Sequence, residues 1–302
     1  MIKEIAYNYF SIEQCNMCGA SSSQFKYLGK RLNQSQGKNP SKKTGITASV
    51  FQCRSCELIF SNPQPRPQNI SDHYGVSPEK YWREDYFEVK ENYFRGAIKW
   101  LFRLKEIKPG MKYLDIGAGI GKQMIALQRV GFDVYGIEPS APFREAAITR
   151  MKIDADRIKL SSIEEAEYEK DYFDFISFGA VLEHIYDPSA AIAKAMSWLK
   201  PGGIIHAEVP HSRWLINRMI NRYYKLRGMD FVANISPMHK PYHMHEFSIR
   251  SFEKNAERNN YKVKDHCIYV CETFMPAIID PLLKYYMKKT STGMQLCIWL
   301  EK

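Results

Sequence analysis

The sequence lacks an apolar run approaching the roughly 18 residues that a bilayer crossing requires. Its first residues do not show the charged, apolar and small-residue succession of an export signal. The expectation is a cytoplasmic protein without a membrane span. No repeat of solenoid period is present, which excludes the stacked-repeat architectures. An arginine-rich tract is also missing, because 43 Lys and Arg against 33 Asp and Glu are spread along the chain. The formal net charge of +10 therefore favours acidic partners in general, whether nucleic acid, nucleotide-sugars, phosphorylated metabolites or an anionic membrane surface, without selecting one. Cysteine is scarce. The total is seven, an odd number, with four of them in two close pairs, which argues for metal ligation and free thiols over a secreted disulfide framework. Oligomeric state is not legible.

What is present is an ordinary globular composition, 45% hydrophobic and 25% charged over 302 residues, enough for one large domain with an appendage. Residues 1–69 form a first module that ends in the proline-rich stretch Asn62 to Pro67, read as a stiff linker. Within it, Gly29 to Ser49 is polar and reads as a mobile hairpin excursion. Residues 70–302 make the second domain. Its first part, 70–106, is aromatic and charged and reads as helices covering one sheet face. From 107 to 210, short apolar runs alternate with amphipathic stretches, as in a parallel sheet wound by crossover helices. Strands are predicted at Met111 to Ile116, Asp133 to Glu138, Arg157 to Leu160, Phe173 to Phe178 and Gly203 to Val209. The last part, 211–302, would supply an acceptor-side cap: a helix from Trp214 to Lys225, a His-rich turn, a helix near Ser248 to Asn259 and strands at Lys262 to Val270 and Gln295 to Leu300.

The strongest local signal is the run Asp115-Ile116-Gly117-Ala118-Gly119-Ile120-Gly121, an apolar strand delivering alternating glycines to a helix start. Glycine permits close approach of a ligand to the backbone, and amides at a helix start are ready donors. A dinucleotide site takes G-x-G-x-x-G; here the spacing is G-x-G-x-G, with a carboxylate two residues before the first glycine that repels phosphate and suits an amine. The next strand ends in Glu138-Pro139, where a carboxylate can accept both hydroxyls of a ribose. That feature alone fits NAD equally well. A buried-strand pattern at Phe173 to Phe178, the segment Leu182-Glu183-His184 and the turn Leu199-Lys200-Pro201-Gly202-Gly203 follow.

As a set, over roughly residues 108–210, these motifs resemble the class I S-adenosylmethionine-dependent methyltransferases. The resemblance implies a Rossmann-like doubly wound α/β fold with a seven-stranded, mostly parallel sheet. It implies that Asp115 and Gly117, within the loop continued by Ala118, Gly119 and Gly121, hold the methionine moiety of S-adenosylmethionine. Glu138, with Pro139 behind it, would take the ribose, Ser162 and Ile163 would flank the adenine, and Phe178 and Gly179 would line the cofactor. S-adenosylhomocysteine would be the product.

Cys15-x-x-Cys18 and Cys53-x-x-Cys56 form two knuckles, each able to present two thiolates to one tetrahedral ion, for which zinc is the expected metal. A redox dithiol is the alternative, less suited to two pairs without a thioredoxin-like context. Four protein ligands leave no open coordination position, so the role is structural, in a small N-terminal zinc ribbon. Such a module fused to this core resembles the zinc-binding sugar methyltransferases of antibiotic and surface-polysaccharide pathways. Cys267, Cys271 and Cys297 read as core thiols.

Methyl transfer chiefly requires alignment of the acceptor and exclusion of water, with a base where the acceptor carries a proton. His184, just beyond the fourth core strand, is the candidate base or acceptor-orienting group, or else a histidine that holds the loop. The turn from Met238 to Ser248 adds His239, His243 and His245, of which His243 and His245 are read as shaping the acceptor side, together with Tyr81, Arg83 and Tyr86. With Glu183 and His184 this turn loosely resembles metal-assisted 2′-O-methyltransferases of small RNAs and some quinone O-methyltransferases, although Ala180 stands where those place another Glu. A second metal stays open. The expected activity is methylation of a small-molecule acceptor, a sugar or sugar-nucleotide hydroxyl or carbon. RNA methylation and a non-catalytic cofactor-binding subunit whose zinc module docks a partner are the alternatives.

Overall fold

The computed structural model describes residues 6–34, 36–69, 71–75, 78–80, 83–235, 242–271, 273 and 275–302. Seven strands build the main sheet: β1 (Lys112–Ile116), β2 (Asp133–Glu138), β3 (Ile158–Leu160), β4 (Phe173–Gly179), β5 (Leu199–Pro210), β6 (Lys262–Tyr269) and β7 (Gln295–Glu301). Their order is β6-β7-β5-β4-β1-β2-β3. Strand β1 pairs in parallel with β2 and β4, and β2 with β3. The last strand runs the other way: Lys302 N–H donates to Gly203 O at 3.2 Å while His211 N–H donates to Met294 O at 2.9 Å, so partner numbers fall as β5 advances. This is the doubly wound, mostly parallel sheet expected, with strand ends within a few residues of the predicted ones. The central strands are covered on both faces, which is why β1 and β4 read as near-continuous apolar runs, with Tyr113, Leu114, Phe173, Ile176 and Phe178 all fully buried.

Among the described residues, seven helices of one turn and a half or more accompany the sheet: α1 (Arg95–Leu104), α2 (Lys122–Gln128), α3 (Ala141–Thr149), α4 (Pro188–Trp198), α5 (Leu215–Leu226), α6 (Ile249–Asn259) and α7 (Asp280–Thr290). Helix α6 begins where expected: the Ser248 hydroxyl accepts from Ser251 N–H at 3.1 Å, and the Ser251 side chain returns the bond to Ser248 N–H.

Two expectations are corrected. Gln64–Pro67 is not a linker but a strand, paired antiparallel with Tyr7–Phe10 in the register Tyr7↔Pro67 to Phe10↔Gln64. Prolines are admissible in such a two-stranded ribbon because their missing N–H can face outward. Between 70 and 106, regular helix is confined to α1 and the short Ser71–Tyr74 turn; the rest of the described segment is 3₁₀ turns and loop. Two of its aromatic rings, Tyr86 and Tyr93, both face the Lys122 ammonium, at 4.4 and 4.8 Å.

The chain divides into two compact units. One joins Met1–Gln68 with Ala180–Ala190 and Ala207–Leu300; the other comprises Asn69–Gly179, Ala191–His206 and Glu301–Lys302. In the first, the strands Phe25–Leu32, Thr47–Cys53 and Ile59–Ser61 form an antiparallel sheet completed by the short strand His245–Glu246. Among the described residues no helix is long and apolar enough to cross a membrane.

Candidate cofactor cleft and cysteine cluster

Strands β1 and β2 lie side by side and end in Asp115-Ile116 and Ile137-Glu138, so pairing in register brings both acids to the same end of the sheet. Both are buried, at 2% and 6% exposure. The Asp115 carboxylate accepts from Ser177 Oγ at 3.1 Å, and Ser177 in turn lies 2.6 Å from the Tyr113 hydroxyl. Burial pushes the Asp115 carboxyl up to about 7, against the opposing effect of the Ser177 and Tyr113 hydroxyls. Glu138 accepts two backbone amides, Gly119 N–H at 2.7 Å on one oxygen and Ser140 N–H at 2.8 Å on the other. Burial holds it at about 7 as well, although both amides favour its charged form.

Four amides of the glycine loop are taken up by the protein itself. Gly117 and Ala118 N–H both donate to Ile137 O, at 2.9 and 3.0 Å; Gly119 N–H goes to Glu138, and Gly121 N–H to Ala118 O at 2.8 Å. They are turned inward, not outward as donors to a ligand. An anion cradle needs amides pointing at the ligand, and these four do not. The glycines are required for other reasons. Gly117, Gly119 and Gly121 have φ of 70°, 57° and 80°, in the left-handed region. A Cβ on Gly136, a residue outside the expected set, would lie 2.7 Å from the Met124 sulfur and 3.1 Å from Ala118 Cβ, so that glycine lets α2 seat against β2.

The remaining expected cofactor residues lie in the same unit. Ser161 N–H donates to Glu138 O at 3.1 Å, which ties the Ser162-Ile163 segment to the end of β2; Ile163 is buried and Ser162 half-buried. Phe178 is fully buried and Gly179 half-buried at the end of β4. Pro139 is half-buried or less behind Glu138. Burial, with the Glu138 charge adding to it, raises the Tyr86 phenol. The Lys122 ammonium is taken up by Tyr86 O at 3.0 Å. Ser177 and Tyr113 were not singled out in the sequence; a serine inside the apolar run Phe173 to Phe178 was the available signal.

In the other unit, the thiols of Cys15, Cys18, Cys53 and Cys56 converge. All four Sγ atoms lie within 4.8 Å of one another, with Cys15–Cys56 at 3.5 Å and Cys18–Cys53 at 3.7 Å, and none is in a disulfide. Four sulfurs about 2.3 Å from one tetrahedral ion stand about 3.8 Å apart, so the spacing fits zinc. Each knuckle closes in the same way: Gly19 N–H returns to Cys15 O and Glu57 N–H to Cys53 O, both at 2.8 Å, with φ of 73° at Gly19 and 64° at Glu57. Helix α6 supports the knuckles from its first two turns. Ser248 and Ser251 hydroxyls each donate to Cys56 O at 2.9 Å, and Asn255 Nδ2 donates to Met17 O at 2.7 Å.

The same unit holds the histidines. Ligand atoms of Glu183, His184 and His243 lie within 4.8 Å of one another, and the two rings meet edge to face at 4.7 Å. His184 Nδ1 is 3.1 Å from Tyr242 O. A carbonyl only accepts, so Nδ1 carries the proton and Nε2 the lone pair. Burial pushes the Glu183 carboxyl up to about 8, and its Oε2 has no hydrogen-bond partner among the described residues. His245 is fully buried with Nε2 3.3 Å from Gln64, and burial beside the Arg66 cation depresses it to about 3. His239 and Tyr81 lie outside the described residues.

The sheet order and topology define a Rossmann-like α/β fold, a class that hosts many functions, and comparison with known proteins narrows it. A family model described as a methyltransferase domain matches residues 89–266, more than half of the chain, and the chain belongs to that family. It is 28% identical over 160 residues to a ubiquinone biosynthesis O-methyltransferase of Rhodopseudomonas palustris strain HaA2, covering 49% of this chain and 61% of the relative. It is 31% identical over 111 residues to the protein of that name from Nitrobacter winogradskyi, covering 35% of this chain and 41% of the relative. The match thus spans less than two thirds of either relative. Among solved structures, a chain from the complex of the Haloferax volcanii Trm112 methyltransferase activator with a methyltransferase shares the fold. Its TM-score is 0.53 at 15% identity, with 77% of this chain and 97% of that one covered.

The raised Glu138 carboxyl has a consequence for stability. An acid whose folded value is about 7 against 4.5 unfolded must be ionised at a cost in the folded state as pH rises between those values. Removing that charge with Glu138→Gln is therefore expected to shift the difference in urea midpoint from wild type in the variant's favour as pH climbs from 4.5 to 7. A difference that stays constant across that window would show that Glu138 is not held above its ordinary range.

Proposed function

We propose that this chain transfers a methyl group from S-adenosylmethionine to a small-molecule acceptor, with a sugar or sugar-nucleotide hydroxyl or carbon as the leading acceptor class. The carrying observation is the pair Asp115 and Glu138 at the ends of adjacent parallel strands, over a loop whose amides face inward. Such a site matches a ligand that combines an ammonium with a ribose diol. Within this reading Asp115 and Gly117 meet the amino-acid end, Glu138 accepts the ribose hydroxyls, and Ser162, Ile163, Phe178 and Gly179 border the base.

The cofactor, when bound, supplies a methyl group activated on a sulfonium. His184 Nε2, with its lone pair set by the Nδ1 bond to Tyr242 O, takes the proton of an attacking hydroxyl. His243, edge to face with His184, orients the acceptor, and the buried neutral His245 supports that turn from within. A second reading places a divalent cation on Glu183, His184 and His243, favoured by their convergence and by the unpartnered Glu183 Oε2. Such an ion would hold the acceptor oxygen and ease its deprotonation.

Methyl transfer from radiolabelled cofactor to sugar-nucleotide acceptors is the test. His184→Ala is expected to lower kcat by roughly 10²–10⁴-fold with cofactor affinity unchanged. A cofactor-loaded protein inert towards every acceptor pool would sink the catalytic reading. Turnover that vanishes on chelation and returns with added magnesium or manganese would favour the cation over the histidine as base.

The four cysteines are assigned one structural zinc. Elemental analysis of the purified chain is expected to give one zinc per molecule, and Cys53→Ser to lose most of it along with several kcal/mol of stability, of order 3 or more. A metal-free wild type with unchanged thermal stability would contradict the assignment.

A further inference from the structure

Helix α5 and its flanks carry Arg213, Arg218, Arg222, Lys225 and Arg227, and there is no acid between Glu208 and Asp230. None of these five cations makes an ion pair with a described residue. They are placed in order. Arg218, Arg222 and Lys225 recur at i, i+4 and i+7 and are exposed, so they form one stripe of the helix surface. Met219, Tyr223 and Leu226 recur at the same spacing one residue on and form the adjoining stripe. Those three are 42%, 38% and 79% exposed, whereas the opposite face is held inside by Ile216, Asn217 and Tyr224.

Single exposed apolar residues are ordinary, but an apolar stripe beside an uncompensated basic one is not. We propose that α5 docks this protein on an anionic lipid bilayer. Phosphate headgroups neutralise the basic stripe while Met219 and Leu226 enter the headgroup boundary, the geometry of an interfacial amphipathic helix. Helix α7 repeats the chemistry: Leu282, Tyr285 and Tyr286 are 70%, 62% and 53% exposed, followed by exposed Lys288 and Lys289. A single weak interfacial element gives reversible binding, and a second one strengthens it. A nucleic-acid surface accounts for the cations but gives a 79%-exposed leucine beside them nothing to contact.

Flotation of the full chain with vesicles tests the proposal. Wild type is expected to float with phosphatidylcholine vesicles containing about 30% phosphatidylglycerol, to stay down with pure phosphatidylcholine, and to be released near 0.5 M salt. Removing two cations in Arg218→Gln with Arg222→Gln is expected to weaken binding about 20-fold or more, at about fivefold for each charge. A Leu226→Trp reporter is expected to shift its emission to the blue on the anionic vesicles alone. These side chains are exposed, and an unchanged circular dichroism spectrum would confirm that the variants fold. Three results would overturn the proposal: no flotation with anionic vesicles, flotation indifferent to both α5 changes, or a reporter that stays in water. So would capture of a single-stranded RNA probe without vesicle binding, or a solution dimer dispersed by Leu226→Glu, which would give this face to RNA or to a second copy of the chain.

Discussion

The Glu138 carboxylate is the interaction on which the cleft depends. Placed at the end of β2, it accepts the Gly119 amide from the loop after β1 and the Ser140 amide that opens α3. One side chain thereby fixes the loop, the strand end and the next helix with respect to each other. The cost is burial of a carboxyl: burial raises both Glu138 and Asp115 to about 7, and at Asp115 the nearby Glu138 charge adds to the rise. A site that holds two acids in this condition is poised to gain from any ligand that brings positive charge or hydroxyl donors to them. The amides of Gly117, Ala118, Gly119 and Gly121 are engaged within the protein and do not offer a phosphate grip.

The cysteine cluster depends on a different kind of constraint. Its knuckles are held by their own backbone turns and by polar side chains of α6, whose cap hydroxyls serve two purposes at once: they start the helix and they satisfy Cys56 O. The thiols are well buried in that setting, with Cys15, Cys53 and Cys56 all fully inside. The compact unit that contains the cluster also contains the Glu183, His184 and His243 group. In this unit the N-terminal residues are part of the same packed body as 207–300 and do not form a free-standing appendage.

Much of the fold was legible because parallel-sheet strands are buried on both faces and announce themselves as apolar runs; Asp133–Glu138 was anticipated to the residue. The Ser248 cap was legible for the same local reason, since an N-cap needs only its own next turn. Other features needed tertiary partners. Gln64–Pro67 reads as a linker until Tyr7–Phe10 is placed beside it. The aromatic stretch before α1 looked helical because apolar positions recur at helical spacing towards Leu101 and Leu104, yet Tyr86 and Tyr93 serve a lysine distant in sequence. Helix α7 escaped notice because its outward face is the apolar one, which inverts the usual pattern. In the site, the residue types and positions of Asp115, Glu138 and the cysteines could be read from spacing, but the direction of the loop amides could not. Glycine allows either orientation, and only the position of Ile137 O decides it.

The central claim is that the cleft selects an amine-and-ribose ligand over a pyrophosphate. Titration calorimetry of the purified chain with S-adenosylhomocysteine and, in parallel, with NADH tests it most directly. Saturable heat with S-adenosylhomocysteine and none with NADH is the result this account predicts. Tight NADH binding alongside silence from S-adenosylhomocysteine would contradict it.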